Sequence, residues 1–161
     1  MNESLQDFIE LCKKIDFAML VTTGTGGRLT SRPMIIAQLE NNGDLWFATN
    51  SESLKVDDIL HNSSVCVTLA GNGNYASISG HATIEEDPAK IKELWSEPWR
   101  VWFPGGVEDP SLTLVHVHSE FGEYWCNSGT NAVRYVFRAA QAYLTGQRPV
   151  ADASSHGRLD L

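Results

Sequence analysis

Four polar side chains lie close together where a predicted strand gives way to a predicted helix, in the segment "WFATNSESLK" (46–55). They are Thr49, Ser51, Ser53 and Lys55. Free backbone N–H groups and the positive end of the helix dipole favour an anion at such a junction, and the hydroxyls and ammonium would complete a phosphate site. The simpler interpretation is a turn in which Ser53 caps the helix and Lys55 is solvated. The segment alone is more typical of that capped turn.

An arginine on the preceding predicted strand is a second candidate ligand for an anion. Arg32 is followed by Pro33, which cannot donate a hydrogen bond to a neighbouring strand. This stretch is therefore expected at an edge or an irregularity of the sheet. A guanidinium there is suited to hold a phosphate through paired hydrogen bonds. An ion pair with Asp57 or Asp58 is the alternative, and the two interpretations are equally compatible with the sequence.

Two histidines and a glutamate alternate in "HVHSE", which puts His116, His118 and Glu120 on one face of a strand. Two histidines at this spacing can chelate Zn²⁺, but a catalytic zinc site needs a third ligand in suitable geometry. The pattern favours a polar sheet face or interface hydrogen bonds, and no metal site is predicted.

The elements that must position these residues are mostly strands. Apolar residues alternate or cluster between turn segments such as "GTGG" and "NNGD". The predicted strands are 17–23, 29–40, 45–50, 64–71, 75–86 and 112–127, and the predicted helices are 4–15, 53–62, 88–95 and 132–144. This pattern predicts a mainly β fold, a small antiparallel six-stranded barrel with flanking helices. Residues 1–144 are expected to form this single domain, and residues 145–161 a mobile tail.

The composition restricts the classes of protein to consider. With 161 residues, 42% hydrophobic and 20% charged, the chain is typical of one soluble globular domain. No apolar run approaches the roughly 18–20 residues of a membrane helix. The acidic start is unlike a secretory signal, so we expect a cytoplasmic protein without a membrane partner. The net charge of −8 and the lack of a basic cluster argue against a nucleic-acid partner.

Five segments in order resemble one protein family. They are "SRPM", "LWFATN…SLK", "YASISGHATIEEDPAKIKELW", "WFPGG…DPSL" and "EYW". The match as a whole runs from about Phe17 to Trp125. The chain resembles the general stress protein 26 group of the pyridoxamine 5′-phosphate oxidase-related flavoproteins, which bind FMN on a split β-barrel. The resemblance implies that fold and FMN as the cofactor, with FAD as the alternative.

The resemblance also implies a set of cofactor-binding residues. The strand segment equivalent to Arg32, Pro33, Met34 and Ile35 runs alongside the flavin in the family, with the arginine near the phosphate or ribityl chain. Ala48 and Thr49 would lie by the isoalloxazine ring. Ser53, Leu54 and Lys55 would hold the FMN phosphate. The family pattern therefore favours the anion site over the capped turn.

Proteins of this family form homodimers with two flavin sites in the interface. An independent reason to expect a partner is the aromatic segment that contains Trp95, Trp99, Trp102 and Phe103, because it carries more aromatic surface than a small barrel readily buries. Packing in the monomer core is expected to account for one or two of these side chains. Trp102, Phe103 and Trp125 are the residues expected to reach the flavin of the other subunit.

The function implied by the resemblance is that of an oxidoreductase acting on a small molecule, with a reduced nicotinamide or another small electron donor. No side chain stands out as a general acid or base, so no catalytic residue is predicted. Three alternatives stay open: a pyridoxamine 5′-phosphate oxidase, a flavin-binding stress protein without turnover, and a barrel that binds another ligand such as a deazaflavin.

Overall fold

A computed structural model describes residues 3–126, 141, 146 and 156–161. The strands of this part of the chain are β1 (Phe17–Thr23), β2 (Leu29–Leu39), β3 (Leu45–Asn50), β4 (Ser64–Gly71), β5 (Asn74–Glu85), β6 (Leu112–Cys126) and β7 (His156–Asp160). Its α-helices are α1 (Glu3–Cys12), α2 (Leu54–His61) and α3 (Pro88–Leu94). None of the helices in these described ranges is long and apolar enough to cross a membrane.

The first six strands close into an antiparallel barrel. Their hydrogen-bonded order is β3-β2-β1-β4-β5-β6, and β3 also pairs with β6, so neither end of the series is left open. Closure of this kind satisfies the backbone groups that an open sheet would leave along its edges. The split β-barrel with flanking helices predicted from the sequence is confirmed.

The strands connect through tight local turns. The hairpin between β4 and β5 has only Asn72 and Gly73 as its loop, and both have positive φ, 53° and 77°. That conformation matches the twist of the flanking strands, and Asn-Gly is the residue pair that adopts it at least cost. This local turn therefore sets the pairing of the short apolar runs on either side.

Two apolar clusters hold the barrel and its surroundings together. The larger fills the barrel and is closed by α1, whose Phe8 and Cys12 are fully buried. The smaller lies on the outer side of β3 and β6, where Trp46 and Leu114 pack with Ile91 of α3 and with the aromatic segment that follows it. This second cluster fixes the segment that will form one wall of the candidate site.

The end of the chain differs from the sequence prediction. Residues 156–160, which were assigned to a mobile tail, form β7 against the far half of β6. His156 and Arg158 both contact the Glu123 carboxylate at 2.7 Å, while Leu159 and Leu161 pack against the core. The alternation of apolar and polar residues in this five-residue strand is too short to predict a strand within a polar segment. The predicted helix 132–144 and the domain boundary at 144 lie outside the described residues, apart from residue 141, and stay predictions.

Candidate functional site

Lys55, Thr49 and Ser53 meet where β3 ends and α2 begins. Lys55 Nζ donates a hydrogen bond of 2.8 Å to Thr49 Oγ1, and Ser53 Oγ lies 3.5 Å from the same hydroxyl. Thr49 is 4% exposed and is fixed by the pairing of β3 with β6, opposite Thr113. The polar groups that the sequence grouped by position are therefore in contact in space.

Ser53 occupies the N-cap position of α2, but its side chain makes no capping hydrogen bond. The capped-turn interpretation requires the hydroxyl to accept a hydrogen bond from a backbone N–H in the first turn. Instead it lies toward Thr49. The N–H groups of Ser53 and Val56 already donate to the backbone oxygens of Asn50 and Ser53. Those of Leu54 and Lys55 have no acceptor among the described residues and stay available to a ligand.

Lys55 is a half-buried cation that has no acidic partner in the part of the chain that the structure describes. None of the described carboxylates forms an ion pair with it, and its ammonium group bonds to a neutral hydroxyl. Burial lowers the pKa of Lys55 below its usual value, and the positive charge of Arg32 lowers it further. An anion at this point would oppose both effects.

Arg32 forms the ion pair that was one of its two predicted alternatives. Its Nη2 lies 3.5 Å from Asp58 Oδ2, and its Nη1 donates to Thr22 Oγ1 at 2.7 Å. Thr22 in turn donates to Asp58 at 2.7 Å, so the three groups form one network. Arg32 stays close enough to Lys55 to affect its pKa.

The stretch around Pro33 lies at an edge, as its sequence predicts. Among the described strands, residues 29–35 of β2 pair only with β1, because the pairing of β2 with β3 begins at Ile36. The side of Pro33 that faces away from β1 therefore needs no ladder hydrogen bond. This free edge opens one side of the site.

A pocket of about 410 Å³ lies beside this edge. Pro33, Met34 and Ile35 of β2 form one wall, and residues 48–50 of β3 and Lys55 form the next. The aromatic segment completes it with Trp99, Trp102 and Phe103. Eight of the twelve predicted cofactor-binding residues thus line one pocket. The sequence prediction omitted Asn50 and Trp99. Asn50 directly follows the predicted Thr49, and Trp99 belongs to the aromatic segment, so both could have been included.

The other four predicted residues lie outside the pocket wall. Ser53 borders it through its contact with Thr49, whereas the Leu54 side chain is 78% exposed. Arg32 directly precedes the lining residue Pro33, but its side chain bonds to the Thr22–Asp58 pair. Trp125 lies near the far end of β6, where it stacks on His156 with ring centroids 5.2 Å apart. Within one chain Trp125 is remote from the pocket. Leu114 of β6 pairs with Ala48 in the pocket wall, and from there β6 runs extended away from the pocket to Trp125.

The aromatic segment divides into buried and exposed members. Trp99 and Phe103 are 6% and 5% exposed and belong to the outer apolar cluster, so packing within the chain accounts for them. Trp102 is 60% exposed although it lines the pocket. A large exposed ring at the mouth of a pocket is available to contact a ligand or another chain.

The histidines of "HVHSE" meet a residue that the sequence prediction did not include. Asp44, just before β3, lies near both His116 and His118, because β3 and β6 are neighbours in the barrel. Glu120 contacts His81 Nδ1 at 2.9 Å instead, since the register shift between β5 and β6 displaces it from the face of the two histidines. Only the long-range pairing of β3 with β6 could have revealed Asp44.

Comparison with known proteins identifies relatives along most of the chain. The family model described as pyridoxamine 5′-phosphate oxidase like matches residues 3–150. Protein bli-3 of Neurospora crassa is 30% identical over 159 residues, which cover 91% of this chain and 76% of that protein.

Solved structures with a similar fold include two general stress proteins. The general stress FMN/FAD binding protein of Xanthomonas citri is 28% identical, with a TM-score of 0.68 over 80% of this chain and 92% of that one. General stress protein 26 of Bacillus anthracis is 24% identical, with a TM-score of 0.68 over 75% of this chain and 92% of that one, and supports the fold.

Proposed function

Because the chain belongs to the pyridoxamine 5′-phosphate oxidase-like family, we propose that it binds FMN in the pocket between β2, β3 and the aromatic segment, and that it is an oxidoreductase for a small molecule. The FMN/FAD-binding relative from Xanthomonas citri supports a flavin as the ligand. The single observation that carries the proposal is the half-buried Lys55 ammonium at the wall of an apolar pocket, which has no acidic partner among the described residues.

The phosphate end of FMN would lie at the start of α2. Lys55 supplies a positive charge, and Thr49 and Ser53 supply hydroxyls within 3.5 Å of each other. The open N–H groups and dipole of α2 favour an anion at the same point. Arg32 supports this end electrostatically, and Asp58 holds its guanidinium in place.

The ring end of FMN would occupy the apolar part of the pocket. The volume of about 410 Å³ lies within the range of roughly 300–1,000 Å³ that is typical of small-molecule sites. Pro33 and Ile35 provide a flat apolar wall, and Trp102 provides an aromatic surface at the mouth. These residues would orient the ring and exclude water from one side of it.

Bound flavin would supply two-electron chemistry, and the protein would supply binding, orientation and access. Among the described residues that line the pocket, Lys55 is the only ionisable one, so we assign no general acid or base. This observation favours a second candidate function, a flavin-binding protein without turnover. A pyridoxamine 5′-phosphate oxidase would need further cations for the substrate phosphate. Arg158, the basic residue near the chain end, is instead paired with Glu123.

A homodimer would cover the apolar surface beside the pocket. Phe17 and Ile35 are register partners on β1 and β2 and are 62% and 41% exposed, and Met19 next to them is 38% exposed. This surface is continuous with the pocket through Pro33 and Ile35. Exposed apolar surface of this kind is typical of an interface. In such a dimer, Trp125 of one subunit could reach the flavin of the other.

The experiment is to purify the protein untagged, record its visible spectrum and identify any released chromophore by mass. Flavin absorption bands with the mass of FMN are the expected result. Titration of flavin-free protein with FMN, FAD and riboflavin, followed by flavin fluorescence, then gives the cofactor preference. A colourless protein that fails to quench added FMN would refute the flavin proposal. If flavin binds but reduced nicotinamides and pyridoxamine phosphate are not oxidised, the second candidate is favoured.

A further inference from the structure

Three side chains on neighbouring strands bring nitrogen and oxygen atoms together outside the flavin pocket. Asp44 lies just before β3. His116 and His118 lie on the face of β6 that also carries Leu112 and Leu114 of the outer apolar cluster. One ligand atom from each of the three residues lies within 4.8 Å of the other two. We propose that Asp44, His116 and His118 bind one divalent transition-metal ion, with Zn²⁺ as the best match.

The distances fit a shared ion. Asp44 Oδ2 lies 3.4 Å from His116 Nε2 and 3.7 Å from His118 Nδ1. Ligand atoms roughly 2.0–2.2 Å from a tetrahedral Zn²⁺ ion are separated from one another by about 3.3–3.5 Å. The two distances to Asp44 are therefore within a few tenths of an ångström of those around a bound ion. The histidine nitrogens lie within 4.8 Å of each other and would move closer on binding, which leaves a fourth position for water.

The hydrogen bonds around His118 leave the ring nitrogen nearer Asp44, Nδ1, with a free lone pair. Thr83 Oγ1 donates its hydrogen to Glu85 at 2.9 Å, so toward His118 Nε2, 3.4 Å away, it can only accept. His118 Nε2 therefore carries the hydrogen, and in the neutral ring Nδ1 does not. That lone pair faces Asp44 Oδ2, an arrangement that is repulsive unless a proton or a metal ion lies between the two atoms.

His116 presents the same problem on the other side of Asp44. Its Nε2 is buried and has no hydrogen-bond partner among the described residues, although the carboxylate oxygen is only 3.4 Å away. A buried polar atom without a partner is costly, and a metal bond would satisfy it.

The Asp44 carboxylate is held in position from behind. Its Oδ1 accepts a hydrogen bond of 2.8 Å from the Ser119 backbone N–H, and its Oδ2 accepts one of 2.9 Å from Asn42 Nδ2. Such outer contacts orient the ligands of metal sites in proteins. A nitrogen and carboxylate set suits Zn²⁺ and its neighbours among the transition metals better than Mg²⁺ or Ca²⁺.

The test is calorimetric titration of Zn²⁺ into protein dialysed against a chelator, with Co²⁺ as a second, visibly absorbing probe. We expect one Zn²⁺ per chain and a Co²⁺ absorption band typical of tetrahedral coordination. Asp44→Asn and His118→Gln should each weaken Zn²⁺ binding by at least about 10–100-fold. His81→Gln is the matched control, because His81 stacks on His118 at 4.8 Å but bonds to Glu120. It should change the affinity by less than about threefold.

The proposal is overturned if the wild-type protein binds no Zn²⁺, or if Asp44→Asn and His118→Gln bind it as the wild type does. Thermal melts of each variant separate loss of the site from loss of the fold. The His118 side chain is 34% exposed, so its substitution should leave the fold intact even if Asp44→Asn does not. Flavin binding plays no part in this readout, and the two proposals therefore fail independently.

Discussion

Replacement of Lys55 by methionine tests the phosphate site most directly. Methionine keeps the apolar stem of the side chain but removes the ammonium group and its hydrogen bond to Thr49. We expect weaker binding of FMN, unchanged binding of riboflavin, which has no phosphate, and no loss of stability in the flavin-free protein.

The magnitude follows from the surroundings of Lys55. A hydrogen bond between charged groups contributes about 1.5–3 kcal/mol, and about 1.4 kcal/mol corresponds to a tenfold change in affinity. The substitution should therefore weaken FMN binding by roughly 10–150-fold. The flavin-free protein loses an ammonium that is already disfavoured by burial and by Arg32. Its melting temperature should accordingly stay the same or rise.

The assay is fluorescence titration of flavin-free protein with FMN and with riboflavin, accompanied by thermal melts. Lys92→Met, at an exposed lysine of α3, is the control and should change neither affinity. If Lys55→Met weakens riboflavin as much as FMN, or weakens FMN by less than about threefold, Lys55 does not hold the phosphate.

Three further predictions concern the framework of the site. Asp58→Asn should lower the free energy of unfolding in urea by about 1–3 kcal/mol, because Arg32 loses its charged partner in a mostly buried network. Gly80→Ala should lower it by at least about 2 kcal/mol, since the new methyl group would collide with the backbone oxygen of His118 at the β5–β6 bulge. Burial raises the pKa of Cys12 to about 12, so mass spectrometry should find this thiol unmodified by iodoacetamide until the protein unfolds.

Each of these predictions has a control within the chain. Asp57→Asn changes an exposed carboxylate of the same helix, and Ser79→Ala changes a residue beside the bulge that already has a Cβ atom. Cys66, which is half-buried, should react before unfolding. If Asp57→Asn and Asp58→Asn lower the free energy of unfolding equally, the network of Arg32, Thr22 and Asp58 does not stabilise the fold. A normal urea midpoint for Gly80→Ala would show that the bulge can shift, and early labelling of Cys12 would show that α1 opens readily.

Local patterns in the sequence predicted the barrel strands well because each strand is bounded by its own turn. The Asn72–Gly73 hairpin and the junction around Lys55 depend on residues close in the chain, and both were correctly located. The edge position of Pro33 follows from its missing N–H group, which is likewise a local property.

Features that depend on distant segments were harder to predict. Arg32 pairs with Asp58 because α2 lies beside Thr22. No local sequence pattern encodes that position of α2. Asp44 reaches the histidines only through the pairing of β3 with β6. The last strand was missed because residues 156–160 form a strand by pairing with a free edge of β6. Their own apolar alternation is too short to predict it.

The pairing of β3 with β6 also has a consequence for the order of folding. The segments of the β1–β2 and β4–β5 hairpins are adjacent in the chain, whereas β3 and β6 are separated by α2, β4, β5 and α3. Loop-closure entropy therefore favours early hairpins and late closure of the barrel. The pocket combines β2 and β3 with the aromatic segment just before β6, so it is complete only after the slowest step. A ligand of this pocket should slow unfolding and leave the refolding rate unchanged.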